Sequence, residues 1–419
     1  MISQTPSRAW IVVAMLWMVA LLNYLDRLMI TTMRLSLKEV IPMTDAQFGL
    51  LTSVFLWVYA VLSPFAGYLA DRFNRSRVIV GSLFVWSLLT WLTGQARTFE
   101  QLLVARALMG VSEACYIPAA LALIADYHRG PTRSLATGIH MTGITAGSAL
   151  GGVGGWLAER YGWSFGFTLF GIFGAVYATA LALTLKDAPR AAVESVRPEK
   201  ERPTVRLWEG LTGLLSHGTF ILLAIYWSIL GLAGWAIVGW LPTYLNEQFH
   251  LGQGAAGLSA TGYLNATAFI GLLVGGGWAD RWSRTNARGR ILVPVIGLCA
   301  AAPAVFLAAN TNVLVIAIAG IMIYGFTRGF SDSNMMPILC LVANPRYRAT
   351  GYGVLNLFGC LVGGITIYAG GALKDMNVNL SSLFQFASGC LLVCALVLFV
   401  VKPRRVDDVP QREVEVEKT

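Results

Sequence analysis

Long apolar runs separated by short polar breaks dominate the chain. Twelve such segments fall at residues 10–33, 46–70, 78–96, 101–126, 135–158, 165–186, 219–245, 255–280, 291–309, 312–340, 349–372 and 382–402. A helix crossing the hydrocarbon core needs about 20 mostly apolar residues, and several of these segments exceed that, which predicts tilt or extension beyond the membrane. None shows the two-residue alternation of a strand, so the pattern predicts a helical bundle and not a barrel. The first segment reads as a helix rather than a cleaved signal, because its apolar stretch is too long and no A-x-A-like site follows. The longest polar stretch, KDAPRAAVESVRPEKERPTVRLWEG at 186–210, splits the helices six and six. It is rich in proline and charge and is expected to be a cytoplasmic linker, partly disordered or lying on the membrane surface. The expected divisions are a first six-helix half at 1–186, a linker at 187–218, a second half at 219–402 and a charged cytoplasmic tail at 403–419, which is assigned no role.

Composition strengthens the membrane reading. Only 13% of the 419 residues are charged, about half the usual share in a soluble domain. The net charge of +9 does not point to nucleic acid, because of where the basic residues lie. Of 31 Lys and Arg, 23 fall at the ends and loops on the side of the N-terminus and five on the other side. The positive-inside rule then predicts both termini in the cytoplasm, with a bacterial inner membrane as the expected location. Three arginines remain that no loop accounts for: Arg27, Arg106 and Arg328. The six cysteines are scattered along the helices and read as small packing residues. No metal-ligand cluster, nucleophile constellation or phosphate-binding loop is present, so no metal, cofactor or enzymatic activity is expected. The run GSALGGVGGWL at 147–157 lacks the phosphate-loop pattern and reads as close helix packing.

The two halves repeat each other. GYLADRFNRSR from Gly67 has its counterpart in GGWADRWSRTNARGR from Gly276. Likewise RSLATGIHMTGITAGSALGG from Arg133 corresponds to RATGYGVLNLFGCLVGG from Arg348. Repeated membrane halves are a transporter signature, with substrate held between them near the midplane. GYLADRFNRSRV resembles the loop signature between helices 2 and 3 of the major facilitator superfamily, and RALMGVSEA at 106–114 resembles that superfamily's helix-4 motif. NYLDR at 23–27, together with Arg106 and Glu113, resembles both the organic anion:cation symporters and the spinster-type transporters, and the residues do not separate the two branches. The fold this resemblance implies is all-α, with twelve transmembrane helices in two pseudo-symmetric six-helix halves.

Six charges are strong candidates for the membrane interior: Asp26, Arg27, Arg106, Glu113, Arg328 and Asp332. Each costs about 2.5–3.5 kcal/mol at the bilayer centre on insertion scales, so they are expected to face the bundle interior or an aqueous cavity. Arg106 and Glu113 are two turns apart on one face, and Arg328 and Asp332 are one turn apart. Salt bridges pinning helices together would explain these charges structurally, and Asp26 would cost less near the cytoplasmic end of helix 1. The functional reading is proton-coupled symport of a small organic anion, such as a sugar acid or other carboxylate. Burial raises the pKa of a carboxylic acid and a neighbouring arginine lowers it. Substrate on the arginine therefore favours a proton on the acid, and this reciprocity is a coupling free energy. The resemblance implies Asp26 and Glu113 as proton-coupling residues, with Arg27 and Arg106 as anion ligands. The alternative is a spinster-like transporter or exporter of an amphipathic lipid or drug. Arg328, Tyr263, Asn265 and Asn356 are further candidates for substrate contact, although interhelical hydrogen bonding explains the last three equally well. His140 is weighed as a relay against packing, and Tyr24, Tyr116, Trp227 and Trp235 as cavity lining against packing. Gly67, Asp71, Arg72, Arg75 and Arg77, with Asp280 and Arg281 repeating the pattern, form the expected cytoplasmic gate. Its Asp71 latch is implied by the resemblance, and the second copy departs from the motif. Expected partners are the bilayer, protons and a small organic anion, with the protein a monomer.

Overall fold

Local capping signals start several of the helices. Asn74 accepts from the Arg77 amide at the head of one, Thr98 from the Gln101 amide at the next, and Asn379 from the Ser381 amide at the last. Each supplies an oxygen to an amide that the first turn leaves without a partner. The computed structural model describes residues 6–128, 132–188, 207–343 and 348–402. Its first half comprises α1 (Pro6–Met29), a 3₁₀ turn (Ile30–Thr32), α2 (Arg34–Val40), α3 (Asp45–Arg72), α4 (Arg75–Thr93), α5 (Phe99–Ala114), α6 (Tyr116–Tyr127), α7 (Arg133–Leu150), α8 (Val153–Tyr161) and α9 (Trp163–Thr184). The second comprises α11 (Gly218–Phe249), α12 (Gln253–Ser283), α13 (Gly289–Asn310), α14 (Leu314–Val342), α15 (Arg348–Asp375) and α16 (Leu380–Val400), with a short α10 (Leu207–Leu215) before it. Thus the end of the 187–218 segment is helical, and Leu214 is buried.

Among the described residues, eleven spans are long and apolar enough to cross a membrane. The fourth expected helix is α5 and α6 run together as one span, Phe99–Tyr127. The fifth, expected at 135–158, is α7 and α8 end to end, divided at Gly151 and Gly152. Both glycines keep right-handed helical angles, so the path is nearly continuous. This is the all-α fold of twelve membrane segments in two halves that the repeats predict.

Two seams join the halves. Along α3 and α15, a side chain at Gly49 would sit 2.7 Å from the Ile367 carbonyl oxygen. Ser53 donates to the Gly364 carbonyl at 2.6 Å and Trp57 to that of Leu361 at 3.1 Å. Along α7, α8 and α12, a Cβ at Gly152 would meet the Gly257 carbonyl oxygen at 2.6 Å, and Thr261 donates to the Ala149 carbonyl at 2.8 Å. Small residues let the backbones approach this closely, which is how membrane helices associate without a hydrophobic driving force. Gly152 and Gly364, from glycine pairs that lie near each other in the sequence repeat, thus sit one on each seam. Among the described residues, the hydrogen bonds, ion pairs and tight glycine contacts between halves all fall in the part of the bundle farther from the termini. The bundle is sealed on that side.

Candidate functional site

Helix α1 runs away from the N-terminus, so Asp26 and Arg27 lie near its far end. Asp26 is therefore not at the end of helix 1 nearest the N-terminus, where its cost would be smaller, and it is 2% exposed. Arg27 is equally buried, and Arg106 and Glu113 of α5 are fully buried. The face shared by Arg106 and Glu113 is turned into the first half.

The four charges do not form one network of ion pairs. Arg27 Nη2 pairs with Glu113 Oε2 at 3.1 Å and lies 3.5 Å from Asn23 Oδ1. Three rings surround its guanidinium, Tyr24, Phe55 and Tyr59, with centroids at 4.5, 4.8 and 4.6 Å. Cation–π attraction is strongest in such desolvated positions. Asp26 takes a hydrogen bond from the Thr90 hydroxyl of α4 at 3.1 Å. One oxygen of each carboxyl, Asp26 Oδ1 and Glu113 Oε1, has no hydrogen-bond partner among the described residues.

Arg106 differs from the expectation of an anion ligand. Its guanidinium points at backbone carbonyls: Leu51 of α3 at 3.3 Å, Asp26 at 3.5 Å and Arg27 at 3.4 Å. The physical reason is the end of α1. At its end α1 passes into the 3₁₀ turn Ile30–Thr32, and side-chain donors reach the carbonyls of residues 26 to 29 there. Arg106 takes the first two, while Thr31 takes the carbonyl of Leu28 at 2.7 Å and Thr32 that of Met29 at 2.8 Å. An arginine near a helix C-terminus also complements the helix dipole.

In the second half, Arg328 and Asp332 form the expected same-helix pair at 3.5 Å, with side chains 33% and 42% exposed although both sit in the middle of α14. Three buried hydroxyls lie on this half, with Ser331 beside Tyr226 and Tyr324 beside Arg328. Tyr324 and Tyr24 both lie near Arg328, and Tyr352 lies near Tyr24 and Asp332. Tyr59 in turn interacts with Arg27, Tyr24 and Tyr352. Tyrosines from both halves thus lie near the Arg27–Glu113 pair and the Arg328–Asp332 pair.

The remaining candidates are dispersed. Tyr263 is 47% exposed on α12. Asn265 folds back onto its own helix, donating to the Thr261 carbonyl at 2.8 Å. Asn356 Oδ1 lies 3.9 Å from the Cys360 sulfur. His140 is fully buried, edge-on to Tyr116, with neither ring nitrogen partnered among the described residues. Tyr116 donates to the Leu16 carbonyl at 2.7 Å, and Trp227 and Trp235 pack over Gly359 and Gly363. Of the residues expected at a cytoplasmic gate, Gly67 lies within α3, and the side chains of Asp71 and Arg72 lie outside what the structure describes. Arg75 pairs with Asp126 of α6, the amide of Arg77 donates to Asn74, Asp280 pairs with Arg290 at 3.0 Å, and Arg281 is exposed.

Sequence reasoning missed Thr90, Phe55, Tyr59, Tyr226, Tyr324, Ser331 and Tyr352. Thr90 and Ser331 were visible only as polar residues in apolar helices, and the aromatics carried no distinguishing signal.

Comparison with known proteins gives four findings. The description Major Facilitator Superfamily matches residues 16–367. Human protein spinster homolog 1 is 29% identical over 321 residues, covering 72% of this chain, and the match spans 60% of the human protein's length. The sphingosine-1-phosphate transporter SPNS2 of Xenopus tropicalis is 27% identical over 405 residues, 90% of this chain and 77% of the relative. Among solved structures, a bacterial homolog of the human lysosomal transporter Spinster, in an inward-facing and occupied conformation, superposes with a TM-score of 0.76 at 23% identity, covering 95% of this chain and 96% of that one.

Proposed function

The chain belongs to the major facilitator superfamily, and from that premise we propose that it moves an amphipathic molecule with a charged head group across a membrane, driven by protons. It is a membrane transporter and not an enzyme. The spinster-type relatives, one of them a sphingosine-1-phosphate transporter, support the amphipathic substrate over the small organic anion that the intramembrane arginines first suggest. With the termini cytoplasmic, the sealed side is the outer one and the protein faces inward.

The observation that carries the proton-coupled reading is the Arg27–Glu113 ion pair, buried at 3.1 Å with one Glu113 oxygen unpartnered. A proton on Glu113 removes the counter-charge of Arg27. The guanidinium, held in place by Tyr24, Phe55 and Tyr59, is then available to an anionic head group. Conversely, an anion on Arg27 releases Glu113 to accept a proton. Each event lowers the free energy of the other, which is reciprocal coupling. Asp26, hydrogen-bonded to Thr90 and with its other oxygen free, is the second proton site. Arg106 supports the site by holding the end of α1 and does not itself bind substrate. Arg328 and Asp332 present both charges toward the space between the halves, so this pair meets the distal polar part of the substrate.

Reconstitution into liposomes under an imposed proton gradient tests the reading, with labelled lysolipids, sugar acids and other carboxylates offered in parallel. Gradient-driven lysolipid flux that Asp26→Asn and Glu113→Gln both abolish is the expected result. Saturable uptake of a sugar acid with lysolipids ignored would return the organic-anion reading. Flux indifferent to the gradient and to both substitutions would remove proton coupling altogether.

A further inference from the structure

The head of α3 is capped twice, once by its own chain and once by the other half of the protein. Thr44 and Gln47 form a capping box: the Gln47 amide donates to Thr44 Oγ1 at 3.1 Å and the Thr44 amide to Gln47 Oε1 at 2.9 Å. This reciprocal pair is a local device that any helix can use. The Phe48 amide reaches the Thr44 carbonyl at 3.0 Å. That leaves the amides of Asp45 and Ala46, and both donate to the Asp375 carboxylate, each at 2.8 Å and each to a different oxygen. Asp375 belongs to α15 of the opposite half.

Its position is wrong for its own helix. Asp375 is the last residue of α15, where the dipole's negative end disfavours an acid. At the N-terminus of α3 the same carboxylate is favoured by dipole and amides together. Its stabilising contacts therefore lie between the halves. Gly371, one turn earlier, has no room for a side chain against the Asp45 carbonyl, and this brings the two helix ends together. Around the cap runs a chain of charges: Lys374 to Glu247 at 2.6 Å, Glu247 to Arg34 at 3.1 Å, Arg34 to both oxygens of Asp45 at 2.8 Å, and Lys38 to Asp45 at 2.6 Å. Ion pairs at a wet surface contribute little and are screened by salt. The two-amide cap has a fixed geometry that a screened charge lacks.

We propose that Asp375 is the latch of the side opposite the termini: its carboxylate locks α15 onto the head of α3, and its release is the step that opens the transporter on that face. The capping box keeps α3 intact when the latch lets go, since Thr44 and Gln47 travel with their own helix. The inference uses the outer orientation adopted above, but its test reads conformation and needs no substrate.

The reporter is Ser53→Cys, at a buried position on the α3–α15 seam, treated in intact cells with a membrane-impermeant maleimide from outside. The chain without this substitution supplies the background of its native cysteines. Asp375→Ala is expected to raise the labelling rate about 5–10-fold through a population shift toward the open face. Asp375→Asn should fall between it and the unsubstituted protein, because one amide oxygen can serve only one of the two donors well. It also keeps the test decisive where the alanine variant does not accumulate. Gln47→Ala should leave labelling unchanged, since it opens the capping box at the head of α3 and removes a bond made only to the α3 side. Equal labelling in all the Asp375 variants and the unsubstituted protein would overturn the proposal. So would a rise with Gln47→Ala as large as with Asp375→Ala, which would mean general fraying of α3 instead of a latch.

Discussion

The two intramembrane charge clusters are built on opposite plans. In the first half, Asp26, Arg27, Arg106 and Glu113 are almost wholly buried, and their partners come from α1, α3, α4 and α5. In the second half, Arg328 and Asp332 sit one turn apart on a single helix with a third or more of each side chain exposed. A charge shared among helices cannot change its state without altering their packing. A pair on one helix exchanges partners with little disturbance to the rest. The first plan suits a group whose protonation must be felt by the fold, and the second suits a group that must accept and release a ligand.

Removing a partner from each cluster gives the sharpest contrast. Glu113→Ala leaves Arg27 without a counter-ion inside its ring of aromatics. Loss of one member of a buried pair costs about 3–5 kcal/mol, so unfolding in mixed micelles should show a drop of that size. Adding Arg27→Ala should recover part of it, because no uncompensated charge then remains. A loss of under about 1 kcal/mol would show that the pair is hydrated and would erase the contrast.

Arg106→Leu should have an intermediate effect. It strips the carbonyls of Leu51, Asp26 and Arg27 of a shared donor, and a buried acceptor left unsatisfied costs about 1–3 kcal/mol. Relief from burying the guanidinium offsets some of this, and a net loss of about 2 kcal/mol is expected. Substrate affinity of the folded fraction should change little. A large rise in KM with unchanged stability would instead make Arg106 a ligand, as its position in the sequence suggests.

The smallest change in stability is expected from Asp332→Asn. A partly exposed i,i+4 pair is worth about 0–1 kcal/mol, so the unfolding midpoint should barely move. Transport assays should nevertheless show KM rising several-fold, since the group faces the space between the halves. Destabilisation matching that of Glu113→Ala would place both clusters in the same structural role.

Much of this was legible in the sequence. Hydrophobic spacing determined the helices, because a backbone in hydrocarbon must satisfy its own hydrogen bonds and needs about 20 apolar residues to cross. The internal repeat determined the two halves, and the glycine pairs Gly151–Gly152 and Gly363–Gly364, which lie near each other in that repeat, each place a glycine on an inter-half seam. Periodicity gave the Arg328–Asp332 pair, and cost alone marked Asp26, Arg27, Arg106 and Glu113 as residues with interior partners. Tertiary structure decided which partner each one took. Arg27 rather than Arg106 holds Glu113, because only the fold brings the ragged end of α1 against Arg106 and so commits that guanidinium to carbonyls. Thr90, Tyr59 and Asp375 acquire their roles the same way, from neighbours 64 residues away for Thr90 and 330 for Asp375. Local pattern fixes a helix because its hydrogen bonds span four residues. Ion pairs and caps between helices depend on distances that no short stretch of sequence encodes.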